Sequence, residues 1–307
     1  MSLASALFPV DFAALPVASL ADGAPRGGWF THWYINPFLL LGVVAIAAGY
    51  IWMTGAWARR QPEPTAFRTL PRQRASFFAG LILLLVALGP PLNDWATWYL
   101  LTAHMVQHML LTLFIPPLLL LGLPAWLIRI PVARSRIFER VGYGLTRMPV
   151  GLGLSALATL FWHVPPVMAV ACEDPTLHVL ERFSYLFTYL LFWWSIVGPL
   201  PEWPRLSEPL QCLTLFLQML PMILVGAPIT LSGTVLYEHY TEHVFGLMSV
   251  DHLIDQQVAG LLMWVIGMVG MLIPLTFIFL RWASRNDAEA RGDRGPRRPN
   301  PTQAAGD

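Results

Sequence analysis

From residue 37 onward the chain alternates long apolar runs with short polar loops, and that pattern predicts a bundle of membrane-crossing helices. A spanning helix needs about 20 mainly apolar residues to cross a hydrocarbon core about 30 Å thick. The stretches that qualify or come close are Pro37–Trp57, Phe77–Pro90 with its flanks, Leu100–Leu123, Val150–Ala171, Val179–Pro199, Leu210–Leu231 and Val258–Trp282. The second is the shortest, so six spans is the alternative count. The fold class expected is an all-α membrane protein, a seven-transmembrane helix bundle over residues 36–283. A tail of residues 1–35 precedes it and a tail of residues 284–307 follows.

Composition agrees with this reading. Hydrophobic residues make up 56% of the chain and charged residues 12%, about half the charged share of a soluble domain. The charges are also sided. Arg59, Arg60, Arg68, Arg72 and Arg74 follow the first span, and Arg129, Arg134, Arg136, Arg140 and Arg147 follow the third. Arg205 follows the fifth span, and Arg281, Arg285, Arg291, Arg294, Arg297 and Arg298 follow the seventh, with no lysine anywhere. Only Arg26 and Arg182 fall on the other side. Arginine-rich loops stay in the cytoplasm, so the N-terminus is expected out and the C-terminus in. Residues 1–35 lack a basic start, and Asp11 and Pro16 interrupt the apolar run. They read as an outward-facing tail rather than a signal peptide. The tail from Ser284 is rich in Arg, Pro, Gly and Asp, a composition expected to be disordered and cytoplasmic.

On that topology all the histidines gather toward the outer side. Ionisable groups inside a membrane are costly and are kept for a purpose. His104 and His108, in HMVQHM of the third span, are four residues apart and share one helix face. His163, in FWHVPP, lies near the outer end of the fourth span at comparable depth, and His178 starts the fifth. A single intramembrane His often serves as hydrogen-bonding glue between helices; two on one face with a third at matching depth point to a metal site. Imidazole suits copper, zinc and iron, while thioether and thiolate favour Cu(I). Met168 and Cys172, four apart near the outer end of the fourth span, are therefore added to the candidate metal ligands. His239, His243 and His252 lie in the outer segment before the seventh span and are lesser candidates for metal ligands at the outer surface. Glu238, Tyr240 and Glu242 around the first two suit a solvated amphipathic helix on the outer surface. Asp251 and Asp255, in DHLIDQQVAG, could orient His ligands or take up a proton when metal binds. Helix capping is the plainer role for Asp251.

What is missing narrows the function. The cytoplasmic halves of the spans offer Gln211 and Gln218 and almost nothing ionisable, whereas a transporter should offer a polar route near mid-membrane. No phosphate-binding glycine loop, nucleophile elbow or HExxH zinc motif occurs. Catalysis and nucleic-acid binding are not expected; the lipid bilayer is.

Five segments, HMVQHMLL, PPLLLLGLP, WHVPP, HVLERFSYLFTYLLFWW and DHLIDQQVAGLLMW, occur in this order. Together the chain from Trp29 to Trp282 resembles the multi-span CtaG-type cytochrome c oxidase assembly factors. The resemblance implies a multi-pass protein of the bacterial plasma (inner) membrane, usually with seven spans, needed to form active haem–copper oxidase. It places His104, His108, His163, His178 and Asp255 at motif positions, with Glu181 beside them in the fifth span. One position departs: Arg182 follows Glu181 where many relatives have His, which weakens the case for a ligand at His178. The function expected is handling of copper, Cu(I), for insertion into the oxidase copper centre. Its partners would be a haem–copper oxidase subunit and a periplasmic copper donor. A metal-free scaffold for oxidase subunits and a b-type haem electron-transfer protein are the alternatives.

Overall fold

The computed structural model describes residues 36–203, 205–241 and 250–290. Among them there are helices and no strands. Helix α1 (Pro37–Trp57) starts where the Asn36 side chain accepts from Phe38 N at 2.9 Å. Helix α2 covers Pro71–Leu88 and α3 covers Leu101–Gly122. Two short helices, α4 (Ala125–Arg134) and α5 (Arg136–Leu145), lead to α6 (Met148–Trp162). Then come α7 (Pro165–Glu173), α8 (Pro175–Val197), α9 (Glu208–Leu231) and α10 (His252–Ala288).

Prolines shape this bundle in two ways. In α3, Pro116 has no N–H to give the Thr112 carbonyl one turn earlier. The helix widens into a π turn over Leu110–Phe114, and the indole of Trp193 on α8 donates to the freed Thr112 oxygen at 2.9 Å. The second case corrects the expected fourth span. Val150–Ala171 is not one helix, because Pro165 and Pro166 force Val164 into an extended conformation (ψ 122°) and α6 ends at His163. On its other side, α5 meets α6 at 64°.

Among the described residues, five helical stretches are long and apolar enough to cross a membrane: α1, Pro64–Leu88 including α2, α3, α9 and α10. The bent pair of α5 and α6 makes a sixth if it is one span. Helix α8 matches them in length at 23 residues, but Glu181, Arg182 and several Tyr and Trp lower its apolar character. Helix α10 continues past the Ser284 boundary expected for the tail.

Close approach fixes two of the helix pairs, α6 with α8 and α9 with α10. A Cβ on Gly151 of α6 would lie 2.8 Å from the Leu191 carbonyl oxygen of α8. A Cβ on Gly260 of α10 would lie 2.5 Å from Thr230 Oγ1 of α9. Small residues at such crossings let membrane helices gain van der Waals contact that lipid would otherwise supply. A second apolar cluster joins α1, α2 and α3, where Tyr50 stacks on Phe77 at 3.9 Å and donates to the Gly122 carbonyl at 2.8 Å. The other faces of α1 and α10 expose Leu41, Ile51, Ile273 and Phe277, as helices surrounded by hydrocarbon do.

Candidate functional site

Three imidazoles meet where α3 begins and α6 ends. His104 and His108 of α3 are 4% and 2% exposed, and His163, the residue that closes α6, is 5% exposed. The His163 ring lies 5.0 Å from that of His108 and 6.5 Å from that of His104, edge to face in both cases. Tyr185 of α8 completes the group, 4.3 Å from the His108 ring and with its hydroxyl 3.1 Å from His163 Nδ1.

Hydrogen bonding decides the tautomer of His163. Its Nδ1 lies 2.7 Å from the Thr159 carbonyl oxygen. A carbonyl can only accept, so Nδ1 carries the proton and Nε2 carries the lone pair. That Nε2 is buried without a partner, as are His104 Nδ1 and both nitrogens of His108. Buried polar atoms are almost always paired, and an exception calls for a bound ion or water that the protein does not itself supply.

Beside the rings is a buried acid. Glu181 of α8 is 1% exposed, and neither carboxylate oxygen makes a hydrogen bond. Its Oε1 is 3.5 Å from His104 Nε2 and its Oε2 is 3.8 Å from His178 Nε2. Arg182, expected among outer charges, turns into the same region. Its Nη2 donates to Thr97 Oγ1 at 2.9 Å and to His178 Nε2 at 2.7 Å. A guanidinium can only donate, so it occupies the lone pair that a metal would need on that nitrogen. His178 is near the cluster, therefore, but its Nε2 is engaged.

The remaining candidates spread over three places. Asp255 accepts from Leu101 N at 2.7 Å and Thr102 N at 3.2 Å, capping α3 three residues before His104. It acts on His104 through the start of the helix rather than by touching a ring. Asp251 caps α10 through Leu253 N and Ile254 N, and His252 follows with a buried, unpaired Nδ1. Met168 and Cys172 are buried on α7, behind the end of α6. Burial, and then the charge of Glu181, push the Cys172 thiol up to about 12. His239 is not on a solvated surface helix: it is buried in a short turn, Glu238–Thr241, with Nε2 3.0 Å from the Thr97 carbonyl. His243 lies outside the described residues.

As they stand, no three His, Cys, Asp or Glu side chains among the described residues are placed to hold a metal ion together. The edge-to-face rings have unpaired nitrogens but no common focus, so ligation requires side-chain rotation. Sequence reasoning missed Tyr185 and Thr159. The signal for Tyr185 was present, since it stands four residues after Glu181 and so on the same face of α8.

Comparison with known proteins adds a family. Residues 48–285 match the family described as cytochrome c oxidase caa3 assembly factor (Caa3_CtaG). The chain belongs to that family. Three uncharacterized proteins, from Mycobacterium bovis, Mycobacterium tuberculosis and Mycobacterium leprae, are 24%, 24% and 25% identical to it over 285 residues. The matches cover 86%, 86% and 87% of this chain but 42% of each relative, so the chain spans less than half the length of these relatives. No solved structure matches it.

Proposed function

We propose that this family member handles copper for the oxidase, holding Cu(I) between His104, His108 and His163 before it is inserted into the oxidase copper centre. The observation that carries the reading is the set of buried, unpaired imidazole nitrogens on three rings, His163 lying edge to face with each of the other two. Neutral imidazole suits copper, and Cu(I) tolerates low coordination in an apolar pocket. Glu181 supplies negative charge beside the site, and the Thr159 carbonyl fixes the His163 tautomer, as outer partners of metal ligands do.

The membrane frame belongs to the same proposal. Helix α8 is counted as a span because His178, Glu181 and Arg182 are turned toward one another and away from lipid. With α1, α2, α3, α6, α9 and α10 it makes seven, with the N-terminus outside and the C-terminus in the cytoplasm of a bacterial plasma membrane. The histidine cluster then faces the periplasmic side, where a copper donor and an oxidase subunit would meet it.

Anaerobic copper analysis of the purified protein tests this. Wild type should retain Cu(I) against a competing chelator, and His104→Ala with His108→Ala should lose the nitrogen-ligated copper while protein level is kept. Normal copper content in the double variant would end the proposal. The scaffold reading draws on the absence of a common focus for the three rings; it predicts that the same variant loses protein rather than copper. A haem reading has less support, because rings in edge-to-face contact leave no gap for a porphyrin between them. A visible spectrum without a Soret band would agree.

A further inference from the structure

A second set of soft donors lies outside the imidazole group. Between α7 and the segment Leu236–Tyr240 is a cleft of about 180 Å³, lined by Met168, Cys172, Tyr237, Glu238, His239 and Tyr240 among others. Met168 and Cys172 are one turn apart and share the face of α7 that looks into it. Tyr240 stands beside the thiol, its hydroxyl 4.0 Å from Cys172 Sγ, and donates to the Ala96 carbonyl at 3.0 Å. Tyr237 donates to the His163 carbonyl at 2.8 Å. The two phenols thus form the wall between the cleft and the imidazoles.

We propose that this cleft is a separate capture site for Cu(I), with Met168 Sδ and Cys172 Sγ as ligands. It rests on the copper reading above and gives that reading an order: sulfur first, imidazole second. Thioether and thiolate favour a soft ion such as Cu(I) over a hard one such as magnesium. On capture the Cu(I) leaves the donor's ligand, a Cu–S bond forms on Cys172 and the S–H bond breaks. The proton passes to the exposed Glu238 carboxylate at the mouth of the cleft, or to water. No electron is transferred, and the metal remains Cu(I). Passage onward requires only exchange of sulfur for nitrogen past the two tyrosines.

The test is anaerobic Cu(I) titration of the full chain in nanodiscs, with X-ray absorption at the copper edge. Wild type should take up two copper ions per chain with mixed sulfur and nitrogen scattering. His104→Ala with His108→Ala should keep one copper, bound through sulfur. Met168→Leu with Cys172→Ser should keep one with nitrogen ligands and load about tenfold more slowly, in line with the loss of a metal-binding partner. Met168→Leu alone conserves side-chain volume and should already weaken capture in a protein that folds. The proposal is overturned if the histidine variant shows no copper–sulfur scattering and the cleft variants load like wild type. If instead the cleft variants lose a copper and the histidine variant loses none, the cleft stands and the imidazole site fails.

Discussion

Helices α6 and α8 each contribute to two buried polar groups, and the two differ in one respect. In the first, Ser155 Oγ donates to Gln218 Oε1 at 2.9 Å, Gln218 Nε2 donates to the Tyr189 hydroxyl at 2.8 Å, and Thr159 Oγ1 lies 2.9 Å from that hydroxyl. Each of these side chains is paired, and all four residues are fully buried. In the second, one turn further along, the imidazoles and Glu181 are equally buried but leave nitrogens and oxygens unpaired. A satisfied network rigidifies a fold, whereas each unpaired buried group needs its own explanation. The contrast is the ground on which the histidine group, and not the Gln218 network, is proposed to bind copper.

The largest expected effect breaks the unpaired group. His104→Ala with His108→Ala should abolish retention of nitrogen-ligated copper, and His108 gives up no protein hydrogen bond in the process, because neither of its nitrogens has one. Glu181→Gln is next. It removes the charge 3.5 Å from His104 and should lower copper affinity by roughly 10- to 100-fold, measured by chelator competition. Unchanged affinity would show that the carboxylate serves helix packing alone. On the paired side, Tyr189→Phe strands Gln218 Nε2 and should cost about 0.6 to 1.7 kcal/mol of stability, read from unfolding in mixed micelles. Its copper content should match wild type, and a loss there would merge the two groups into one.

Much of this contrast could be read from the sequence, and where it could not the reason is physical. The spacing of His104 and His108 places both on one face of any helix, so their partnership needed no tertiary information. Apolar runs located most of the helices for the same reason. The break between α6 and α7 was also in view as Pro165-Pro166, but the apolar residues on both sides masked it. His239 was hidden more deeply. Glu238 and Tyr240 beside it suggest a wetted surface, yet its burial is set by the Thr97 carbonyl and by Trp98, 6.1 Å away between ring centres, from another part of the chain. Arg182 misled in the same manner. Its charge suggests solvent, whereas its partners His178 and Thr97 lie inside. Pairing between distant residues is a tertiary fact, and periodicity along one helix does not encode it.

The smallest effect is also the strictest control. Glu208 at the start of α9 accepts from Arg281 Nε at 2.8 Å and from Arg285, both on α10. It is buried, but the two arginines are 62% and 63% exposed, so solvent screens the pairs and each is worth about 0–1 kcal/mol. Glu208→Gln should therefore shift the unfolding midpoint slightly and leave copper affinity where it was. Both Glu181 and Glu208 carry a buried carboxylate, but only Glu208 has hydrogen-bonded partners. A fall in copper affinity in the Glu208 variant as large as that in Glu181→Gln would mean that copper content follows helix packing in general, and the distinction between paired and unpaired groups would lose its meaning for function.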